Sequence, residues 1–74
     1  MELSISIFVT VEDCDEVSGE HQRQLIQKNI EAILSELLED MEYFEVGDTQ
    51  EKEVTVYTTG DCSISISASV ERSD

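Results

Sequence analysis

Basic residues are scarce in this chain of 74 residues. The chain has four Lys and Arg residues and 18 Asp and Glu residues, so its formal net charge is −14 at pH 7. A field of this sign repels nucleic acid and anionic membranes and steers a protein towards basic surfaces. We therefore expect no direct binding to nucleic acid or membrane, and a basic protein as partner. An acidic surface with only Lys28 and Lys52 as lysines is also typical of adaptation to high salt, and this alternative stays open.

Long hydrophobic runs are also missing. No segment approaches the roughly 20 apolar residues that a membrane-spanning helix needs, and the first residues, Met1–Ser4, lack the basic start of a signal peptide. We expect one small α+β domain over residues 1–74, located in the cytoplasm, or in the host cytoplasm if the source is viral.

Cysteine and histidine are too few for the common metal and catalytic centres. Cys14 and Cys62 lack CxxC spacing, which disfavours zinc and iron–sulfur sites. We expect free thiols, with a disulfide as the alternative because the strand pairing below brings the two near each other. His21 is the only histidine, and no motif supplies it with a nucleophile and an orienting acid. We expect a solvated histidine, no enzyme activity and no cofactor.

Loops that bind calcium or phosphate are absent as motifs. The acidic turn that begins at Asp13 has Ser18 at its sixth position and Gln24 at its twelfth. A calcium-binding loop requires Gly and Glu at those positions. The three glycines are scattered, so no phosphate loop is expected.

One segment has the periodicity of a helix. From Ser18 to about Met41, apolar residues recur on one stripe of an amphipathic α-helix. They are Ile26, Ile30, Ile33, Leu34, Leu37 and Met41. Ser18 is a suitable N-cap, and Glu20 places a negative charge at the positive end of the helix dipole.

Three segments alternate as half-buried strands do: Glu2–Val11, Glu53–Thr58 and Cys62–Val70. A short fourth strand at Tyr43–Val46, with Phe44 and Val46 facing the core, is an open alternative. The inward residues are Leu3, Ile5, Ile7, Val9, Val11, Val54, Val56, Cys62, Ile64, Ile66, Ala68 and Val70.

Strand register follows from the requirement that paired residues share a face. A three-residue loop at Thr59–Asp61 pairs Val56 with Ile64 and Val54 with Ile66. The same rule pairs the first strand with the last, from Val11 with Cys62 to Leu3 with Val70. The predicted fold is α+β: a single layer of three, possibly four, mostly antiparallel strands in the order β-α-β-β(-β). The last strand is central, and one helix packs on one face.

The outer face of this predicted sheet is rich in hydroxyl groups and nearly uncharged. Its residues are Ser4, Ser6, Thr10, Thr55, Ser63, Ser65, Ser67 and Ser69, interrupted by Phe8 and Tyr57. A solvated face is common in small antiparallel sheets. The alternative is a contact surface anchored by Phe8 and Tyr57, for a second copy or a partner. Leu25 lies off the helical stripe and is a further candidate contact.

The end of the helix carries an unusual concentration of acids, at Glu36, Glu39, Asp40, Glu42 and Glu45. Negative charge is unfavourable at this end of the dipole, and sequences that break a local rule often do so for function. Carboxylates three or four residues apart on a helix lie about 5–6 Å from each other, a spacing that can imitate successive phosphates. Asp13, Asp15 and Glu16 add charge before the helix, and we expect them to contribute to partner binding; complementarity with the helix dipole is the alternative explanation for their position.

In size, charge and its one-helix-plus-sheet layout, the chain resembles small acidic phage-encoded inhibitors, which imitate DNA or block nucleic-acid-binding channels, anti-CRISPR proteins among them. The resemblance includes no diagnostic motif, so no residue role is carried over. It implies a non-enzymatic DNA-mimic inhibitor whose target is a basic nucleic-acid-binding protein such as a defence nuclease. The alternative is an interaction module that forms a homodimer through its Ser/Thr face, with the acidity serving solubility or salt adaptation.

Overall fold

The computed structural model describes all 74 residues. Strand β1 (Leu3–Glu12) is followed by helix α1 (Gly19–Leu37), a short 3₁₀ helix (Met41–Tyr43), strand β2 (Thr49–Thr59) and strand β3 (Cys62–Arg72). The strands form one antiparallel sheet in the order β1-β3-β2. The predicted α+β class with a single helix is confirmed. No helix is long and apolar enough to cross a membrane.

The predicted strand at Tyr43–Val46 does not form. Tyr43 ends the 3₁₀ helix, Phe44 is buried as predicted, and Val46 is 64% exposed. Hydrogen bonds within a turn occupy the backbone here: Glu45 N donates to Asp48 Oδ2 at 2.8 Å, and Asp48 N donates to Glu45 O at 2.9 Å. Because β2 begins as early as Thr49, residues 44–48 form the connection into β2.

The register between β1 and β3 differs from the predicted one by two residues. Val11 lies opposite Ile64 and Leu3 opposite Arg72, where the sequence pattern placed Cys62 and Val70. A shift of two residues leaves every side chain on its predicted face, because the strand period is two. The pattern therefore identifies the faces but cannot choose between these two registers.

The β2–β3 hairpin has a two-residue loop, Gly60-Asp61, and the predicted three-residue loop is wrong. Thr59 pairs with Cys62, and an irregularity between Thr55 and Tyr57 makes Val56 the extra residue of a β-bulge. Beyond the bulge Val54 pairs with Ile66, as predicted. The positive φ of 59° at Gly60, with none at Asp61, fits a type II′ turn.

Helix α1 begins as predicted and ends early. The Ser18 side chain accepts a hydrogen bond from His21 N at 3.1 Å, but the helix stops at Leu37 rather than near Met41. Its buried residues are Ile33 and Leu37. The core around them is formed by Phe44, Ile66, Ala68 and Val70.

The helix covers β2 and β3 but leaves β1 largely uncovered. Four predicted core residues of β1 are therefore partly exposed: Ile5 (45%), Ile7 (37%), Val9 (40%) and Val11 (42%). Only Leu3 of this row packs against the core. A helix is about 10 Å wide and strands are spaced by about 4.8 Å, so one helix covers roughly two strands.

Cys14 and Cys62 form a disulfide, which overturns the expectation of free thiols. Asp13 has a positive φ of 51°, and this turn directs the chain from the end of β1 back towards the first residue of β3. Both cysteines are buried together with Ile64. Leu25 is half-buried against this cluster, so it is not an exposed contact as proposed from the sequence.

Candidate functional site

Carboxylates concentrate at the two ends of an elongated molecule that measures 44 × 16 × 14 Å. The turn between β1 and α1 carries one group, and the segment after α1 carries the other. Since α1 has 19 residues, the two groups are separated by about 28 Å along its axis. We call them the turn cluster, which consists of Asp13, Asp15, Glu16 and Asp61, and the post-helix cluster, which consists of Glu39, Asp40, Glu42 and Glu45.

All four residues of the post-helix cluster are exposed. They lie in the turns and the 3₁₀ helix after Leu37 rather than on α1, so the helical spacing of about 5–6 Å predicted from the sequence does not apply. Backbone bonds hold this segment in place: Tyr43 N donates to Asp40 O at 2.9 Å, and Phe44 N donates to Met41 O at 3.1 Å. The cluster is thus displayed on an ordered chain reversal.

Glu36 differs from the residues of this cluster because it forms an ion pair with Lys52 of β2. The sequence pattern groups Glu36 with the cluster because no basic residue is near it along the chain, and the packing of β2 against α1 supplies Lys52. Arg72 donates to the backbone carbonyls of Phe44 and Asp74. The second ion pair of the protein joins Arg23 to Glu20 at 3.7 Å. None of the four post-helix carboxylates has an ion-pair partner.

The turn cluster lies at the end of the sheet where Cys14 and Cys62 are bonded. Asp13, Asp15 and Glu16 border an open depression of about 600 Å³ together with Asp61 of the β2–β3 loop. The Gln22 side chain donates to Cys14 O at 3.0 Å and to Val17 O at 2.9 Å, which ties the turn to the first helical turn. No group of three His, Cys, Asp or Glu residues is arranged to hold a metal ion.

Two residues of this site were missed in the sequence analysis. In the sequence Asp61 is simply a hairpin-loop residue, but the predicted pairing of the first and last strands brings that loop close to Asp13, and this was the available signal. Gln22 gave no signal of its own, because a side chain that bonds to carbonyls of a preceding turn is visible only once the turn is folded.

The two aromatic residues predicted to share the outer face lie on opposite faces. Phe8 is 69% exposed and lies across from Ser67 on the outer face. Tyr57 lies across from Ile64 on the helix side because of the bulge at Val56. Its ring is edge-on to His21, with ring centroids 6.2 Å apart.

The outer face is also less neutral than the sequence suggested. Strand β2 extends back to Thr49 and places Glu51 opposite Ser69 and Glu53 opposite Ser67. Phe8 is therefore the single large apolar side chain on a hydroxyl surface that has carboxylates along its β2 side.

No protein-family model, curated protein sequence or solved structure matches this chain. Its function is accordingly inferred from its own charge and geometry.

Proposed function

We propose that this protein is a non-enzymatic inhibitor that imitates nucleic acid and binds a basic nucleic-acid-binding surface of another protein. The observation that carries the proposal is the set of exposed carboxylates without ion-pair partners at both ends of the molecule. The partner is a DNA- or RNA-binding protein such as a subunit of a defence nuclease complex. We place this encounter in the cytoplasm, or in the host cytoplasm for a phage-encoded inhibitor, where the buried Cys14–Cys62 bond must persist against reduction.

The post-helix cluster supports this proposal because its charge opposes local stability. Four carboxylates occur within residues 39–45, next to the negative end of the α1 dipole, and the last turn of α1 contains no basic residue. Because the dipole field falls off within about one turn, the cost falls mainly on Glu39 and Asp40, which directly follow the helix, at up to some tenths of a kcal/mol each. Solubility alone does not require charges at the least favourable position, whereas a surface that must display carboxylates to a partner does.

The distance between the two clusters also suits a groove built for nucleic acid. Their separation of about 28 Å along α1 is comparable with one turn of duplex DNA, about 34 Å. A groove that holds one turn of duplex can therefore contact both clusters at once. Guanidinium and ammonium groups that ordinarily bind phosphates can bind carboxylates by charge-assisted hydrogen bonds of similar geometry.

The experiment begins with capture of the partner by the tagged protein from the source cell, or from the host if the source is viral. The proposal expects a nucleic-acid-binding protein that is released by salt, because ion pairs between exposed groups are screened. Fluorescence anisotropy with a labelled nucleic acid then measures whether the inhibitor displaces that ligand from the purified partner.

A matched pair of variants localises the activity. Glu39→Gln/Asp40→Gln/Glu42→Gln removes three charges from the post-helix cluster, and Glu31→Gln/Glu51→Gln/Glu53→Gln removes three charges from elsewhere. We expect the first variant to lose at least about tenfold in inhibition and association rate, since contacts and steering are both lost. The control should lose much less, because only the overall field changes. Equal inhibition by the cluster variant and the parent at physiological salt would refute the role of this cluster.

Stability provides the second measurement on the same variants. Removing negative charge next to the end of α1 should leave the free energy of unfolding unchanged or raise it by up to about 1 kcal/mol. A cluster variant that is folded, equally stable and inactive separates binding from folding.

A further inference from the structure

Strand β1 is an edge strand without the usual protection. It hydrogen-bonds with β3 along one side, and its other side is open. Natural edge strands are commonly blocked by lysine, proline, bulges or inward charges. The opposite edge of this sheet, β2, has a bulge at Val56 and the charged segment Glu51–Glu53. Between Leu3 and Val11 β1 has no charge, no proline and no bulge.

The same strand carries an uncovered apolar row on its helix side. Ile5, Ile7, Val9 and Val11 are each 37–45% exposed because α1 lies over the other two strands. An open edge and an uncovered row on one strand are separate observations, and both indicate a missing neighbour beside β1.

The pattern of β1 is self-complementary about Ile7. When two copies of this strand are antiparallel with a two-fold axis at Ile7, Leu3 lies opposite Val11 and Ile5 lies opposite Val9. On the outer face, Ser4 lies opposite Thr10. All pairs join residues of the same face, as an antiparallel ladder requires. A neutral strand in a chain with a net charge of −14 is also the one element that a second copy can approach closely.

We propose that β1 pairs with β1 of a second copy, which gives a continuous six-stranded sheet in the order β2-β3-β1-β1-β3-β2. The apolar rows of the two copies then lie side by side between the two helices. This interface is independent of the proposed inhibitor function, because it contains neither the turn cluster nor the post-helix cluster.

The proposed interface is small. Nine paired residues, Leu3–Val11, make a contact line of about 30 Å. With the two apolar rows included, we expect a total buried surface of about 1,000–1,200 Å², which is at the lower limit for a specific interface and is typical of weak association.

Salt dependence distinguishes this contact from inhibitor binding. Two copies repel each other through their net charge, and Glu2 of each copy lies opposite Glu12 of the other in this register. Dimerisation should therefore strengthen when salt screens these charges. Binding to a basic partner should weaken under the same conditions.

Analytical ultracentrifugation of the full chain tests the proposal at salt concentrations of about 0.1 M and about 1 M, where the Debye lengths are roughly 10 and 3 Å. We expect a dimer whose association constant rises at least about tenfold with salt. A monomer at both salt concentrations, at protein concentrations up to the high micromolar range, overturns the proposal.

Variants locate the contact. Ile7→Lys should abolish dimerisation in the ultracentrifuge, because an inward lysine blocks an edge strand. Circular dichroism should show that this variant is still folded, because Ile7 is not under the helix. Val46→Lys is the control, since Val46 is an exposed apolar residue outside β1, and it should dimerise normally. A dimer that survives Ile7→Lys but is lost in Phe8→Ser assigns the interface to the outer face and overturns the proposal.

A charge exchange tests the register without touching the apolar row. Glu12→Lys places the introduced lysine of each copy opposite Glu2 of the other and should raise the association constant about tenfold at low salt. Glu2→Lys/Glu12→Lys restores like charges at these positions and should cancel the part of that gain that comes from the local pairing, leaving only the increase that a lower net charge produces. Glu31→Lys has the same net charge as Glu12→Lys and should produce a smaller increase. Equal effects of Glu12→Lys and Glu31→Lys overturn the pairing about Ile7.

Discussion

The disulfide between Cys14 and Cys62 should contribute a large share of the stability of this chain. The two residues are 48 positions apart, so the bond connects the turn after β1 to the start of β3 across the whole of α1 and β2. In the chain-entropy description, closing a loop of this length stabilises the folded state by about 4 kcal/mol. A domain of this size has a free energy of unfolding of about 4–11 kcal/mol in total.

Cys14→Ala/Cys62→Ala should therefore lower the melting temperature by roughly 15–30 °C, since 1 kcal/mol corresponds to about 4–8 °C in a small domain. The substitution also removes two buried sulfur atoms, which adds a packing cost. The parent protein treated with a reductant keeps both sulfur atoms and provides the matched control for the loss of the bond alone.

Thermal melts followed by circular dichroism compare the oxidised parent, the reduced parent and the double alanine variant. A thiol titration of the denatured, unreduced parent should find no free thiol. Two free thiols in that titration, or melting temperatures of the oxidised and reduced parent within about 3 °C of each other, would refute the reasoning.

Two further predictions concern turn geometry and salt. Gly60 has a positive φ of 59° whereas Gly19 does not, and at neither residue does any atom lie within 4 Å of the position that a Cβ would occupy. Gly60→Ala should therefore lower the free energy of unfolding by about 1 kcal/mol, and Gly19→Ala should raise it by about 0.5–1 kcal/mol. Denaturant unfolding measures both changes. If the acidity is not an adaptation to high salt, the melting temperature in dilute buffer should be near 50 °C or above; a fold that requires molar salt would instead support that adaptation.

Local pattern accounted for much of the fold. The alternation in β1 and β3 identified both faces of the sheet, and the N-cap at Ser18 was recognisable because its role depends on residues within one turn. The exposure of the post-helix cluster also followed from composition, since unpaired carboxylates are rarely buried.

The candidate site was only partly predictable for the same reason. The charges of the two clusters are visible in the sequence, but the pairing of Glu36 with Lys52 joins α1 to β2 and depends on how these elements pack. The location of Tyr57 depends on the bulge at Val56, which moves this side chain from the outer face to the helix side without any change in the surrounding alternation.

Periodicity by itself therefore determined which residues of β1 and β3 share a face and where the helix and the three strands approximately lie, because these properties depend on near neighbours. Tertiary structure decided the two-residue shift of β1, the bond between Cys14 and Cys62, and the uncovered row from Ile5 to Val11. A strand pattern of period two cannot distinguish registers that differ by two residues. The same pattern does not indicate which of the three strands a helix about 10 Å wide leaves uncovered.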